Sequence, residues 1–209
     1  MKCFLGVSLG NPYYSKVNIA KYVDWARSRN NKLAFLIGDD IYKYTHSVLK
    51  NSSVKQSEKI ANKMGEDMQK NISGVLENKS ENFEIFRWND IKNNYYYKLF
   101  HKIESEYLEN KDFRAKMLWQ IFENLKHKLE KLGVNNRTQI ADEKYYNLVV
   151  YLMEEISGLI TMSEEIGYPV EIYPGKDLFI LQQIYSNELN NISNLLPANP
   201  QRSFLSIRL

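Results

Sequence analysis

Cysteine is nearly absent from this sequence, with Cys3 as the single example among 209 residues. An internal disulfide is therefore excluded, and a reducing cytoplasm is the expected location. Three scattered histidines add no zinc-ligand spacing to that cysteine, so neither a metal site nor a cofactor is expected. Apolar runs long enough to cross a bilayer are also missing, and the apolar stretch at the start is too short for a signal peptide. The sequence thus predicts a protein without membrane contact.

Neither sign of charge is in strong excess, since 28 lysines and arginines face 25 aspartates and glutamates, for a net charge of +3. Such a mild positive charge permits binding to nucleic acid without requiring it. Hydrophobic residues make up 44% of the chain and charged residues 25%, which is typical of a globular protein. We find no internal repeat, low-complexity linker or domain boundary, so residues 1–209 are expected to form one domain.

Short apolar runs alternate with amphipathic segments along the chain. Strands are predicted at residues 3–7, 32–37, 83–88, 170–173 and 204–209. Helices are predicted over residues 13–29, 53–77, 90–108, 113–132, 140–160 and 178–195. The apolar side of the first helix is predicted to carry Tyr13, Val17, Ala20 and Val23. This alternation is typical of the α/β class with a central, mostly parallel sheet.

Ser8 directly follows the first predicted strand and precedes a tight turn and a helix. Asn11 is a suitable cap for that helix, and Pro12 suits its first position. Because ligands bind at the carboxyl ends of strands in open parallel sheets, Ser8 is a candidate nucleophile. The side chain of Asn11 would lie close to it, as a second candidate catalytic group. A serine in such a turn is otherwise a capping or turn residue.

The residues from Gly6 to Gly10 also match the G-x-S-x-G elbow of the α/β-hydrolases. In those enzymes the serine lies well inside the chain, and an acid and a histidine follow it. Here Ser8 follows the first strand, and no histidine stands in a late, loop-like position. The pentapeptide alone is therefore weak support for a serine hydrolase.

A longer segment, residues 6–15 with Asn18 and Trp25, resembles the N-terminal signature of the cyclodipeptide synthases. That signature reads approximately G-[IV]-S-x-x-N-x-Y-x-S, with an asparagine and a tryptophan farther along the next helix. The resemblance implies a Rossmann-like, three-layer domain similar to the catalytic domain of class I aminoacyl-tRNA synthetases. It also implies that two aminoacyl-tRNAs react without ATP to give a cyclic dipeptide, and that Ser8 becomes aminoacylated. Tailoring enzymes that act on the product are further partners that it suggests.

A second motif lies on the helix predicted over residues 140–160. Tyr151 and Glu155 are one turn apart there, beside an apolar stripe. The stripe consists of Tyr145, Leu148, Val149, Leu152, Ile156 and Leu159. Cyclodipeptide synthases carry a Tyr-x-x-x-Glu pair on the equivalent helix, so the resemblance implies that Tyr151 and Glu155 assist the acyl transfers. A carboxylate can hold an ammonium group and a phenol can relay a proton, although the pair alone would be a snorkelling aromatic and a surface carboxylate.

The resemblance also implies substrate-binding residues. Phe4, Gly6, Leu36 and Trp88 align with positions near the aminoacyl pockets of the family. Without the resemblance, Phe4, Leu36 and Trp88 would be core residues of the predicted strands.

Most members of the family carry a Tyr-Gln or Tyr-Pro pair after the turn that follows the Tyr–Glu helix. Alignment places residues 181–182 there, which predicts substrate binding by Gln182 and, with Asn11, a Gln-type subfamily. The tyrosine of the pair is then a leucine, unless Tyr185 supplies it.

Lysines recur along the polar helix predicted over residues 53–77. Lys55, Lys59, Lys63 and Lys70 fall on nearly one face, where they could follow a phosphate backbone without reading bases. The family binds its tRNA substrates with a basic helix in this region, so these four are predicted to contact tRNA. A solvated helix surface is the alternative, because acidic residues dilute the row. A lesser cluster at Lys126, Lys128 and Lys131 is interpreted as solvated surface.

Two other functions stay open for the chain as a whole. It could be a serine hydrolase that uses the elbow around Ser8, or a non-catalytic tRNA-binding module that keeps a synthetase-like fold. Asp39 and Asp40 could suggest a metal pair, but adjacent carboxylates after a strand are more often a solvated turn. Cyclodipeptide synthesis is the hypothesis that accounts for both motifs in their observed order.

Overall fold

A computed structural model describes residues 1–29, 31–77 and 83–207 of the chain. Five strands within these residues form one sheet of order β3-β2-β1-β4-β5, and every pairing in it is parallel. The strands are β1 Lys2–Val7, β2 Lys32–Ile37, β3 Phe83–Arg87, β4 Val170–Tyr173 and β5 Ser203–Ser206. The strand order reverses between β1 and β4, as in a doubly wound sheet. The prediction of an α/β fold with a parallel sheet is confirmed.

Helices occupy most of the connections between these strands. The α-helices are α1 Lys16–Ser28, α2 Asp39–Lys50, α3 Val54–Leu76, α4 Asn94–Glu109, α5 Lys111–Glu130, α6 Tyr146–Glu164, α7 Phe179–Tyr185 and α8 Asn190–Ser193. Short 3-10 turns lie at Pro12–Tyr14, Trp88–Ile91, Arg137–Ala141 and Glu143–Tyr145. Two of these turns precede α4 and α6, which is why both helices begin later than predicted.

The sheet is covered on both faces, which gives three layers. Along β1, Cys3, Leu5 and Val7 pack with α1 and α3, whereas Phe4 packs with the helices α4 to α7. This alternation follows from the two-residue period of a strand. Ser8 lies two residues beyond Gly6, on the side of the sheet that α6 covers.

The apolar side predicted for the first helix is wrong at two of its four positions. Tyr13 is 51% exposed and Val17 is 69% exposed, whereas Ile19 and Tyr22 are buried. Residues 12–14 form a separate 3-10 turn, and Ser15 then caps α1 by accepting a hydrogen bond from the backbone N–H of Asn18. The helix therefore starts at residue 16, and the predicted periodicity was counted from the wrong residue.

Asp39 and Asp40 do not form a solvated turn, because α2 begins at Asp39 and both carboxylates are buried. Asp39 pairs with Arg87 and accepts a hydrogen bond from the backbone N–H of Trp88. Asp40 pairs with Lys43 and Lys92, at 2.7 Å from each ammonium nitrogen. Cations rather than water thus compensate both charges at this helix N-terminus.

Two other predicted elements differ at the end of the chain. The helix predicted over residues 178–195 is divided into α7 and α8, with Asn187 between them at a φ of +63°. The last strand ends at Ser206, and residues 208–209 of the predicted strand lie outside the described residues. Within the described residues, no helix has the length and hydropathy needed to span a bilayer, and no cluster of His, Cys, Asp and Glu could hold a metal ion.

Candidate active site

A cavity of about 510 Å³ opens at the carboxyl ends of β1 and β4, where the strand order reverses. Ser8 and Tyr173 lie at its edge because each comes at or just after the end of its strand. Helices α2, α5 and α6 provide the other walls. Open α/β sheets bind ligands at this place, so the cavity is the candidate site.

The turn after β1 holds Ser8 in place. The backbone N–H of Asn11 donates to the Ser8 carbonyl at 3.4 Å, and Gly10 has a φ of +73°, a conformation that glycine adopts without strain. A side chain at Gly6 would meet no atom within 4 Å, so this position opens directly into the cavity.

Asn11 has the capping role that its position suggested. Its Oδ1 accepts a hydrogen bond from the backbone N–H of Tyr13 at 3.0 Å. The residue also lines the cavity. Because Oδ1 of Asn11 accepts the capping hydrogen bond, the side-chain NH₂ is the group that is left to act toward Ser8.

Tyr151 and Glu155 both line the cavity from α6. The Tyr151 hydroxyl donates to Glu155 Oε1 at 2.8 Å. Burial raises the pKa of Glu155 to about 7, with a further upward contribution from Glu171 and an opposing one from the Tyr151 hydrogen bond. Burial likewise raises the pKa of Tyr151 well above its usual value, so its phenol stays protonated. The pair combines a proton donor with a carboxyl group that titrates near neutral pH.

Tyr173 is a site residue that the sequence analysis missed. Its hydroxyl is in hydrogen-bonding contact with Ser8, and burial raises its pKa. The available signal was its position, because it ends a predicted strand and parallel strands end at one edge of the sheet. Pro174 follows it in sequence, so Tyr173 is the first residue of a Tyr-Pro pair.

Glu171 is a second missed residue, two positions before Tyr173 on β4. It lines the cavity and pairs with the guanidinium of Arg202, which also binds Asp177. Burial raises the pKa of Glu171, and the adjacent Arg202 opposes that rise. Arg202 thus connects the cavity wall to the segment just before β5.

The predicted substrate-binding residues fall into two groups. Gly6, Leu36 and Trp88 line the cavity. Phe4 is fully buried in the core, and Gln182 is exposed on α7; neither is among the residues that form the cavity wall. Phe4 and Gly6 are two residues apart and therefore lie on the same face of β1. Helix α6 and its neighbours cover Phe4, whereas Gly6 borders the cavity. Alignment alone could not distinguish the core position from the cavity position.

The alternatives offered for the Tyr-Gln position also lie elsewhere. Leu181 is fully buried in the core, and the Tyr185 hydroxyl donates to Glu164 at 2.7 Å. Of the tyrosines that follow α6, Tyr173 is the one that contacts Ser8. Residues 173–174 are therefore a further candidate for that position.

Lysines stand in two places, at the cavity opening and on α3. Lys128 on α5 and Lys176 after β4 are exposed and line the opening of the cavity, so Lys128 is a surface residue that also borders the site. The predicted row on α3 is also exposed, and its Lys63 pairs with Asp67 at 2.9 Å. Members of the row are Lys55, Lys59, Lys63 and Lys70.

The hydrolase alternative requires a histidine base near Ser8. All three histidines are in the described part of the chain, and none of them lines the cavity. His46 instead bonds the hydroxyl of Ser57, with its Nδ1 at 3.0 Å from Oγ. The groups around Ser8 are phenols and carboxyls, which do not constitute a Ser-His-Asp triad.

Comparison with known proteins identifies one family. The sequence model described as cyclodipeptide synthase matches residues 2–196. A curated relative, the cyclo(L-leucyl-L-leucyl) synthase of Staphylococcus haemolyticus, is 25% identical over 154 residues. The match spans 73% of this chain but 65% of the relative, which is less than two thirds of its length.

Solved structures share the fold. A cyclodipeptide synthase from Fluoribacter dumoffii has a TM-score of 0.75 at 20% identity, over 96% of this chain and 86% of that chain. A second, from Candidatus Glomeribacter gigasporarum and bound to Phe-tRNAPhe, has a TM-score of 0.71 at 19% identity, over 98% and 86%. The similarity extends over nearly the whole chain in both cases.

Proposed function

Because this chain belongs to the cyclodipeptide synthase family, we propose that it joins the aminoacyl groups of two aminoacyl-tRNAs into a cyclic dipeptide. Residues 1–209 act as one domain in this reaction. The observation that carries the proposal is the cavity in which Ser8, Tyr151 and Glu155, from two separate motifs, face one space. Such a product is a suitable substrate for tailoring enzymes that modify its ring.

In the first step, Ser8 attacks the ester carbonyl of one aminoacyl-tRNA. A new ester bond forms to Ser8 Oγ, the bond to the tRNA ribose oxygen breaks, and the serine proton passes to that oxygen. The contact with Tyr173 orients the Ser8 hydroxyl for this transfer. The ester is already activated, so ATP is not required.

Glu155 holds the ammonium group of the bound aminoacyl residue. Its pKa near 7 lets it carry a charge at neutral pH while it lies in a buried site. The neutral amine of the second aminoacyl-tRNA then attacks the ester on Ser8. An amide bond forms, the ester bond to Ser8 Oγ breaks, and Ser8 Oγ recovers a proton, so the dipeptidyl group is now esterified to the second tRNA. Ser8 then attacks this ester, which places the dipeptidyl group on Ser8 Oγ and releases the second tRNA with the serine proton on its ribose oxygen.

Ring closure releases the product. The free amine of the dipeptide attacks the ester carbonyl, the bond to the Ser8 oxygen breaks, and that oxygen recovers a proton. Tyr151, protonated because of its burial, relays the proton, and Glu155 restores it through their 2.8 Å hydrogen bond.

Tyr173 and Pro174 supply the Tyr-Pro pair that the family carries after this turn. Asn11 matches the Gln-type pattern, whereas residue 174 does not, so the chain combines features of both patterns. The position of Tyr173 against Ser8 supports a catalytic role for its hydroxyl.

The tRNA approaches through the opening that Lys128 and Lys176 line. Their ammonium groups are suited to the phosphates near the acceptor end, whereas the row on α3 is suited to the backbone farther away. Met64 of α3 lies 4.0 Å from the Cβ position at Gly10, so this helix runs beside the Ser8 turn. The two lysine groups can therefore contact one tRNA.

Trapping of the acyl group on Ser8 tests the proposal. The protein is incubated with leucyl-tRNA, chosen because of the named leucyl product of the S. haemolyticus relative, and with a set of other aminoacyl-tRNAs. Intact-protein mass spectrometry should show an aminoacyl adduct, and cyclic dipeptide should appear in solution. Ser8→Ala should remove both.

Ser15→Ala is the matched control, because Ser15 lies in the same motif but caps α1. The Ser15→Ala variant should still form the aminoacyl adduct on Ser8. An adduct at another residue, or none with any aminoacyl-tRNA, contradicts the mechanism. Ser8-dependent turnover of simple aryl esters without tRNA would favour a hydrolase, and tRNA binding without any acylation would favour a binding module.

A further inference from the structure

We propose that Arg202 is a positioning residue for the Tyr151–Glu155 pair, because it holds the carboxylate of Glu171 in the cavity wall that this pair also lines. The inference rests on the proposed function, since it concerns the groups that assist the same reaction. Arg202 directly precedes β5, is not one of the described residues that line the cavity, and lies beyond residue 196, where the match to the family ends. It therefore acts on the site through another residue.

The guanidinium of Arg202 is held by two carboxylates and two aromatic rings. Its Nη2 donates to Glu171 Oε2 and to Asp177 Oδ1, and its Nη1 donates to Asp177 Oδ2 at 3.0 Å. The ring centroids of Tyr185 and Phe204 lie 5.7 Å and 5.9 Å from its Cζ. The side chain is 4% exposed, so the ion pair with Glu171 is a buried one whose charges depend on each other.

Two carboxyl groups line the cavity, and they have different partners. Glu171, on β4, is paired with a guanidinium, whereas Glu155, on α6, accepts a hydrogen bond from the Tyr151 phenol at 2.8 Å. A cation stabilises an ionised carboxylate more than a neutral phenol does. Because two carboxylates in one buried space repel each other, the one with the cation ionises first and the other keeps its proton to higher pH.

The pKa values have the causes that this arrangement predicts. Burial raises the pKa of Glu155 to about 7; the Tyr151 hydrogen bond opposes the rise and the charge of Glu171 adds to it. Burial also raises the pKa of Glu171, and Arg202 opposes that rise. Phenols whose pKa is raised by burial, and two lysines at the opening, are the other titratable groups that face this space: Tyr14, Tyr42, Tyr151, Tyr173, Lys128 and Lys176.

Loss of Arg202 should change the pKa of Glu155 in a direction that identifies the route. Without its cation, the buried Glu171 takes up a proton, and its negative charge no longer disfavours the ionisation of Glu155. The pKa of Glu155 should then fall. A cation that acted directly on Glu155 would have the opposite effect, because its removal raises the pKa of a carboxyl group.

The test measures the titration of Glu155 by ¹³C NMR of the glutamate carboxyl carbons, with Glu155→Gln to assign the signal. The same variants are compared in the pH dependence of the rate of Ser8 acylation. Glu171→Gln and Arg202→Met should each move both midpoints to lower pH by about one unit, the usual size of the change that protein surroundings cause in a carboxyl group.

Further variants separate this electrostatic effect from general damage. Glu106→Gln is the matched control, because Glu106 is also buried and paired with a cation, Lys102, but does not line the cavity; its midpoints should equal those of the wild type. Arg202→Lys keeps a positive charge and should restore the wild-type midpoints even where it loses stability. In the double variant Glu171→Gln, Arg202→Met, the shift should equal that of Glu171→Gln alone, because both changes remove the same charge.

Unchanged midpoints in Glu171→Gln overturn the inference, and so does a shift of Arg202→Met to higher pH. Reduced stability of Arg202→Met with wild-type midpoints would also overturn it, because the residue would then have a structural role alone. If Arg202→Met does not fold, Arg202→Gln, which can still hydrogen-bond to both carboxylates, takes its place. The NMR titration needs no tRNA, so it decides the role of Arg202 even if the wild-type protein forms no aminoacyl adduct, a result that defeats the proposed function instead.

Discussion

Glu155 retains a proton at pH values where an exposed glutamate has lost it, because burial raises its pKa to about 7. In the proposed mechanism, the ionised carboxylate of Glu155 is the form that holds the ammonium group of the aminoacyl residue. We therefore expect the rate of Ser8 acylation to fall as the pH drops below about 7, measured by quenched flow at fixed aminoacyl-tRNA concentration.

Glu155→Gln should remove this titration and lower the rate at pH 8. The ionisation of the substrate amine is the same for both proteins, so the comparison isolates the carboxyl group. An identical pH profile in the variant would contradict the assignment of Glu155.

The same group links stability to pH. Its pKa is higher in the folded state than in the unfolded chain, so the folded state binds more protons between about pH 4.5 and 7. The contribution of this group to the free energy of unfolding should therefore decrease as the pH rises through that window. In urea unfolding, the free energy of unfolding of the Glu155→Gln variant should decrease less between these pH values than that of the wild type. An equal decrease in both proteins would mean that other groups cause the pH dependence.

Tyr173 is expected to affect the first chemical step. Tyr173→Phe removes the hydroxyl that contacts Ser8, and we expect acylation to slow by about 10²-fold, the lower end for a proton-transfer group. Tyr13→Phe serves as control, because Tyr13 lies in the Ser8 motif but is half exposed. Equal rates for the two variants would show that the contact has no catalytic effect.

The site residues that were predicted from the sequence and those that were missed reach the cavity in different ways. Ser8 belongs to a local turn, and Tyr151 and Glu155 share one helix, so short motifs were enough to place them in the cavity. Tyr173 and Glu171 reach the cavity beside Ser8 only through the pairing of β1 with β4, which joins residues more than 160 positions apart. Such contacts depend on the sheet order, which no local pattern contains.

Among the secondary-structure elements, the first residue of a helix was predictable where a strong N-cap precedes it. Ser53 and Gln56 form a capping box at the start of α3, within one residue of the prediction. Helix α2 was not predicted, because Asp39 and Asp40 resemble a turn until Arg87 and Lys92 are brought to them by the fold. Tertiary ion pairs thus converted an apparent turn into a helix N-terminus.

Attachment of β5 depends on Arg202, whose side chain is 4% exposed. Arg202→Met would leave Glu171 and Asp177 without their cation in a buried position. We expect it to lower the free energy of unfolding by about 3–5 kcal/mol, measured with urea. Arg137→Met, at an exposed position, should change it little, and similar losses in both variants would argue against the role of the ion pairs.

For the molecule as a whole, a net charge of +3 is too small to attract tRNA without local concentration of lysines. Replacement of Lys128 and Lys176 by glutamine should weaken tRNA binding and reduce the slope of log K against log salt by about 0.7 for each lost phosphate contact. Fluorescence anisotropy with labelled tRNA at several salt concentrations measures this slope. Lys131→Gln, at the residue just after α5 and outside the cavity lining, should leave the slope unchanged. An equal fall of the slope in this variant would indicate diffuse attraction instead.

The dependence of Glu171 on Arg202 has a consequence for how the protein is made. A ribosome works among aminoacyl-tRNAs, which are the proposed substrates of the chain that it is producing. Until residue 202 has left the exit tunnel, the Glu171–Arg202 ion pair and the pairing of β4 with β5 cannot form. The cavity wall at Glu171 is therefore completed long after the segment that carries Ser8 has emerged.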